Sequence, residues 1–192
     1  MRASGIGVQE FAAGKKTRAS MVTKLLAKRG TLAASIFDKV RFRIVVNTRD
    51  DLVLAVLYLM HNLVPFNYVV PEQSQNGLVT AEDVAKVMNI DAATVRQIWG
   101  LHEVNPMVEP TPRNEFSGPE YRCVNFVADL PLRVDDVAPE QTPAGAFVHA
   151  EIQLVDAEAA KSNDLGDNAH SLYKRRQRER VRQRIEGPEG LV

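Results

Sequence analysis

The fold of this chain is decided by residues 151–174, which read EIQLVDAEAAKSNDLGDNAHSLYK. The segment starts within a predicted strand over residues 146–155, in which apolar and polar residues alternate. Alternate side chains of a strand point to opposite faces, so Glu151 and Gln153 share its polar face. From Asp156 onward the pattern changes to that of helices. The segment therefore predicts a strand with one polar face that leads directly into helices.

The elements upstream complete a sheet with helices around it. A strand is predicted over residues 39–46, where apolar and basic residues alternate, and another over residues 121–130. Helices are predicted over residues 19–28 and 51–63, and Asp50 is expected to cap the second of them. This order of elements predicts an α/β (α+β) fold, in which a mixed β-sheet is flanked by helices.

The middle of the chain differs in composition from the rest. Residues 66–118 contain polar and Pro-rich stretches, and we interpret them as an insertion into a single domain that spans residues 1–192. Within the insertion, residues 79–100 predict two short helices around Asn89, similar to a helix-turn-helix. A helical pair that serves packing and one that docks on nucleic acid both remain open. Residues 175–192 form a basic C-terminal tail, for which a solvated helix end and an RNA contact are the alternatives.

The composition narrows the class of protein. There are 24 basic and 24 acidic residues, so the net charge gives no indication of a nucleic-acid or membrane partner. The single cysteine, Cys123, excludes an intramolecular disulfide and a zinc site of several thiolates. No apolar run reaches the roughly 18–20 residues that span a bilayer, and the N-terminus lacks a signal-peptide core. We therefore expect a cytoplasmic protein, and the sequence does not indicate its oligomeric state.

Two carboxylates are candidates for a metal and phosphate site. Asp38 stands at the start of the strand that carries Arg41 and Arg43 on one face. Mg²⁺ prefers oxygen ligands and bridges phosphates, while arginine binds phosphate through two parallel hydrogen bonds. Glu151 can converge with Asp38 if their strands are neighbours. The alternative interpretation is a solvated sheet face with ordinary ion pairs.

A basic segment precedes these strands. Lys16, Ser20 and Lys24 are spaced by four, so the pattern predicts one helical face that holds a triphosphate. A solvated helix face is the alternative.

In this order the features resemble the RelA/SpoT synthetase family. The family pairs a serine with a lysine four residues later in a helix that helps bind ATP, as Ser20 and Lys24 do here. Its Mg²⁺-binding aspartate, with an arginine five residues on, corresponds to Asp38 and Arg43. Its pattern E-(V/I)-Q-I-R-T, followed by A-E-x-G-x-A-A-H-W-x-Y-K, resembles residues 151–174. The matching residues there are Glu151, Gln153, Gly166, Ala169, His170, Tyr173 and Lys174.

The resemblance implies a Mg²⁺-dependent pyrophosphokinase that transfers pyrophosphate from ATP to the 3′-hydroxyl of a guanosine nucleotide, producing an alarmone. It implies that Asp38 binds Mg²⁺ and that Glu151 acts as the second carboxylate, on the metal or on the acceptor hydroxyl. The residues that would bind the ATP phosphates are Lys16, Ser20, Lys24, Arg41 and Arg43. The residues that would bind the acceptor are Tyr121, Asn125, Gln153 and His170.

The acceptor motif departs from the family pattern. The family has K-x-N-G-Y-x-S-(L/I)-H, whereas this chain reads SGPEYRCVNF. Tyr121 is kept, but Pro119 and Glu120 replace the Asn-Gly pair, and Cys123 and Asn125 replace the serine and histidine. Three interpretations remain open: a synthetase with this or another acceptor, a catalytically inactive nucleotide- or partner-binding domain, and a nucleic-acid-associated protein that uses the helical pair and tail.

Overall fold

A computed structural model of the chain describes residues 1–27, 33, 36–98, 118, 120–133, 145–165 and 170–187. Its strands in chain order are β1 (Val8–Lys15), β2 (Val40–Val46), β3 (Val69–Asn76), β4 (Val124–Arg133) and β5 (Gly145–Asp156). They form one sheet with the order β1-β2-β5-β4-β3. The β2–β5 pair is parallel and the other neighbouring pairs are antiparallel. The mixed sheet that the sequence predicts is thus confirmed.

Six helices accompany the sheet in the described residues. They are α1 (Arg18–Ala27), α2 (Arg49–Asn62), α3 (Ala81–Met88), α4 (Ala92–Ile98), α5 (Ala157–Asp164) and α6 (His170–Glu186). Short 3-10 turns occupy residues 2–4, 37–39 and 66–68. The basic tail predicted over residues 175–192 is helical as far as Glu186, within α6, which packs against α1. Among the described helices, none combines the length and apolar character that crossing a membrane requires.

One face of the sheet forms the core. Ile44 of β2 and Ile152 and Leu154 of β5 are buried there, together with Leu52 and Leu59 of α2. Because strand side chains alternate, burying these residues turns their neighbours Arg43, Glu151 and Gln153 to the opposite face. The packing of α2 on one face therefore leaves the polar face of β2 and β5 free of that helix.

Two strands of the sheet were not predicted from the sequence. In β1 and β3, which are the edge strands, most residues are exposed. An edge strand needs few buried side chains, so it carries little of the alternation on which strand prediction relies. Pro71 is compatible with an edge position because it has no N–H to donate. The insertion predicted over residues 66–118 therefore includes a strand of the main sheet, and its definition as an insertion stays a prediction.

The helix caps also differ in part from expectation. The cap of α2 is Thr48, whose side chain accepts a hydrogen bond from the Asp51 N–H, so the expected cap at Asp50 is wrong. Asp50 instead forms an ion pair of 2.6 Å with Lys86 of α3. The reason is that the helix starts at Arg49, two residues before its predicted start at residue 51.

The helical pair around Asn89 has the predicted form. Asn89 ends α3 in the left-handed conformation, with φ of 53°. The helices α3 and α4 share a small core with Val53 of α2, formed by Ala81, Val84, Ala85 and Val95. Residues 99–117 of the predicted insertion, including Trp99, lie outside the described residues.

A buried ion pair ties three segments together at the end of β5. The side chain of Asp156 is 5% exposed and accepts hydrogen bonds from Arg49 Nε at 2.8 Å and from the Ala159 N–H at 2.7 Å. Arg49 also donates to the carbonyl oxygen of Leu78, which precedes α3. Asp156 thus caps α5 and holds the start of α2 against the end of β5.

We expect Asp156→Ala to lower the free energy of unfolding by about 3 kcal/mol, since Arg49 would lose its buried partner and α5 its cap. Chemical denaturation measures this change. The control is Asp50→Ala, which removes an exposed ion pair and should cost less than about 1 kcal/mol. Equal effects of the two substitutions would contradict the structural role assigned to Asp156.

Candidate functional site

Asp38 lies in the 3-10 turn that leads into β2, and two lysines hold its carboxylate. Lys24 Nζ of α1 donates to Oδ1 at 2.8 Å, and Lys16 Nζ donates to Oδ2. The side chains of all three residues are only 17–20% exposed. Both oxygens of the carboxylate are therefore engaged by ammonium groups.

The two lysines reach Asp38 from different elements. Lys16 precedes α1 and lies in the connection after β1, so the prediction that it shares a helical face with Ser20 and Lys24 is wrong. The cause is the unpredicted strand β1, which extends to Lys15. The Lys16 N–H donates to the Lys39 carbonyl at 2.9 Å, which fixes this connection beside the turn of Asp38.

Ser20 contacts its own helix turn. Its N–H donates to Thr17 Oγ1 at 3.2 Å, and the Thr17 hydroxyl donates to Ser20 Oγ at 3.0 Å. Its predicted role toward ATP stays a prediction.

The arginines of β2 and the polar residues of β5 meet on one sheet face. In the parallel register Arg41 lies opposite Glu151 and Arg43 lies opposite Gln153. On the other side of β5, Asn125 of β4 lies opposite Gln153. The register thus brings residues from three strands to the face that the core does not use.

Two amide side chains orient the carboxylate of Glu151. Asn125 Nδ2 donates to Glu151 Oε1 at 2.9 Å, and Gln153 Nε2 approaches the same oxygen at 3.4 Å. The sequence predicted Asn125 and Gln153 as acceptor-binding residues, and their contact with Glu151 was not foreseen. The partner of Asn125 is visible only once the β4–β5 register is known. Asn125 Oδ1 is buried and has no hydrogen-bond partner among the described residues.

The ionisable groups of this face influence one another. Burial raises the pKa of Glu151, and the nearby charge of Asp38 raises it further, against the hydrogen bond from Asn125. For Asp38, burial alone would raise the pKa, but hydrogen bonds and charges from Lys16 and Lys24 outweigh it and hold the pKa below its usual value. Burial lowers the pKa of Lys16, against its bond to Asp38. Asp38 and Glu151 therefore lie close enough for the charge of Asp38 to influence the pKa of Glu151.

The two carboxylates fit a Mg²⁺ ion that also binds phosphate. No cluster of three or more His, Cys, Asp or Glu side chains that could hold a metal ion occurs among the described residues. Mg²⁺ is commonly held by one or two carboxylates, with substrate phosphates and water as its other ligands. Asp38 and Glu151 supply that hard oxygen donor set, so a metal held here would take its remaining ligands from the substrate and from solvent.

Among the predicted acceptor residues, Tyr121 is partly buried. It packs against the core, and Cys123, two residues further on, is buried. Burial raises the pKa of the Cys123 thiol to about 11. The Arg122 backbone between them is held by Asn163 of α5, through bonds of 3.1 and 2.7 Å. His170 begins α6, but its side chain lies outside the described residues.

A second polar pair shares the face of Glu151. His149 Nε2 lies 2.9 Å from Asp129 Oδ1. The rings of His149 and Phe37 pack edge to face. His149 thus packs beside the turn that carries Asp38.

The fold of this chain, a mixed sheet flanked by helices, is similar to that of solved small alarmone synthetases. One similar solved structure is that of small alarmone synthetase 1 from Bacillus subtilis bound to its product pppGpp, with a TM-score of 0.53 and 15% identity over 93% of this chain and 73% of that one. Another is small alarmone synthetase 2 from Bacillus subtilis, with a TM-score of 0.50 and 16% identity over 93% and 75% of the two chains. No protein-family model and no curated protein matches the sequence. The resemblance predicted from residues 151–174 is thereby confirmed at the level of the fold.

We expect Glu151→Gln to raise the free energy of unfolding at about pH 8 but not at about pH 4. Because the pKa of Glu151 is raised in the folded protein, the folded state binds a proton more tightly than the unfolded chain. The stability that this group contributes is therefore present in acid and is lost as the pH rises through the folded pKa. Glutamine does not titrate, so the variant avoids this loss.

Chemical denaturation at the two pH values measures the difference. Glu10→Gln, at an exposed position of β1, is the control for removing one negative charge. An increase in the free energy of unfolding that is equal in both variants, or that persists in acid, would contradict the raised pKa of Glu151.

Proposed function

We propose that this chain is a Mg²⁺-dependent pyrophosphokinase that transfers pyrophosphate from ATP to the 3′-hydroxyl of a guanosine nucleotide or of another acceptor. The observation that carries the proposal is the carboxylate of Asp38 between Lys16 and Lys24, close enough to Glu151 to shift its pKa. An isolated ion pair on a solvated face would leave its groups more exposed than these are.

The charge of the face suits a metal–triphosphate. Lys16 and Lys24 contact Asp38, and Arg41 and Arg43 lie on the strand that pairs with the strand of Glu151. With Asp164, which lies 3.8 Å from Arg43, the cluster has four basic groups and three carboxylates, so basic groups are in excess. Pyrophosphoryl transfer depends on positioning and on neutralising phosphate charge more than on covalent chemistry. Bound Mg²⁺ would supply further neutralisation and polarise the phosphate that is attacked.

Glu151 is suited to accept the proton of the acceptor hydroxyl. Asn125 and Gln153 hold its Oε1, so the carboxylate has a defined orientation. Its raised pKa brings it closer to the working pH, which is favourable for a general base. Burial raises the pKa of Glu151, while the hydrogen bond from Asn125 and the charges of Arg41 and Lys24 favour its ionised form and oppose that effect.

Of all parts of the proposal, the identity of the acceptor has the least support from the side chains of the site. An alarmone product in small alarmone synthetase 1, a protein of the same fold, supports a guanosine nucleotide. Against it stands the packing of Tyr121 on the core and on Cys123, which leaves less of its ring for stacking on a base. That packing favours, as a second candidate, a domain that binds nucleotide without transferring pyrophosphate.

A nucleic-acid contact through α3 and α4 has less support. Lys86 pairs with Asp50, and Arg96 pairs with Glu82, so the basic groups of the helical pair are already neutralised. Binding to nucleic acid requires basic groups that neutralise phosphates.

Incubation of the protein with labelled ATP, Mg²⁺ and GDP or GTP is expected to yield a 3′-pyrophosphorylated nucleotide. Asp38→Ala should reduce the rate by at least about a hundredfold, because it removes a group that neutralises charge and holds the metal. Asp50→Ala, at an exposed position on α2, is the control and should retain the rate. If wild type and Asp38→Ala give the same absence of transfer, the enzymatic proposal fails for these acceptors, and ATP binding without turnover would favour the second candidate.

A further inference from the structure

The ion pairs of Asp38 affect how the site can bind a divalent cation and a polyphosphate. Each oxygen of this carboxylate already accepts a hydrogen bond from a different ammonium group, Lys16 on Oδ2 and Lys24 on Oδ1. A divalent cation that binds Asp38 must therefore compete with both lysines for the carboxylate, because each ammonium group repels the cation.

A polyphosphate meets the reciprocal obstacle. The same two lysines contact Asp38, so phosphate oxygens that recruit them compete with its carboxylate for their positive charge. Asp38 would then be less well neutralised in a site where its side chain is 17% exposed. It would also lie close to Glu151 and to the incoming phosphates, which carry charge of the same sign. Either ligand alone thus weakens a favourable interaction.

The two ligands together remove both obstacles, since the cation takes the place of the lysines at Asp38 and the phosphates take the place of Asp38 at the lysines. We propose that Lys16 and Lys24 are shared between Asp38 and the polyphosphate, and that this sharing couples the two binding events. The site therefore discriminates against a free divalent cation and against a metal-free polyphosphate. This inference rests on the proposed function, because it concerns the same site.

The coupling is a thermodynamic linkage. The factor by which the cation increases the affinity for the polyphosphate equals the factor by which the polyphosphate increases the affinity for the cation. The coupling is lost when the carboxylate that competes for the lysines is removed. A variant with a neutral residue at position 38 should consequently bind a metal-free polyphosphate more tightly than wild type does, although the variant lacks the proposed metal ligand.

The test is isothermal titration of the protein with inorganic tripolyphosphate in the presence of EDTA. Asp38→Asn is expected to bind tripolyphosphate about tenfold more tightly than wild type, a change of about 1.4 kcal/mol. Glu151→Gln is the matched control, since it removes one negative charge from the same face without releasing either lysine. Its gain in affinity should be clearly smaller than that of Asp38→Asn, because both lysines stay paired with Asp38.

The outcomes separate the coupling from the proposed function. Equal affinities of wild type and Asp38→Asn would overturn the coupling alone, because the triphosphate site would still exist. A gain in Glu151→Gln as large as that in Asp38→Asn would also overturn it, since general charge repulsion would then be the cause. Absence of tripolyphosphate binding in every variant would overturn the proposed function together with the coupling.

A second measurement detects binding of the cation. It uses a different variant, so it does not require Asp38→Asn to fold. Binding of Mn²⁺ alone, followed by electron paramagnetic resonance of the free ion, should be about tenfold tighter in Lys24→Gln than in wild type. Lys39→Gln is the control, because Lys39 is an exposed neighbour of Asp38 in sequence. Its substitution also removes one positive charge. Equal Mn²⁺ affinity in Lys24→Gln and Lys39→Gln would contradict the proposal.

Discussion

The parallel, in-register pairing of β2 with β5 is the constraint on which the site depends. It sets Arg41 beside Glu151 and Arg43 beside Gln153 while the intervening apolar residues pack on α2. A shift of the register by one residue would turn the arginines or the carboxylate into the core, where an unpaired charge is unfavourable. The hydrophobic core therefore enforces the geometry of the polar face, and the turn before β2 then sets Asp38 next to it.

Parts of this arrangement were accessible from the sequence because their patterns are local. The alternation in residues 39–46 and 146–155 identified both central strands and assigned Glu151 and Gln153 to one face. The edge strands β1 and β3 were not predicted, because their side chains are mostly exposed and their sequences show little hydrophobic periodicity. Missing β1 in turn put Lys16 on the wrong element.

The contacts between side chains were not accessible in the same way. That Asn125 donates to Glu151 follows from the β4–β5 register, which depends on the whole hairpin and not on the residues near Asn125. The ion pairs of Asp38 require the connection after β1 to lie against the turn before β2, a contact between segments 22 residues apart. Long-range contacts of this kind are encoded in the packing of the whole chain, so a motif can indicate which residues take part but not which atoms meet.

The two halves of the site differ in how their residues are held, and this difference bears on what the chain has kept. Lys16 and Lys24 contact Asp38 through flexible side chains, so they can exchange partners while the backbone stays in place. Residues 121–123 are held by contrast: Tyr121 packs against the core, Cys123 is buried, and Asn163 holds the backbone between them with two hydrogen bonds. Releasing Tyr121 for stacking would disturb core packing, whereas the two lysines can change ionic partners without disturbing it. Under the proposed function, the residues that would bind the phosphates can therefore rearrange, and the segment that would bind the acceptor is held in place by the core.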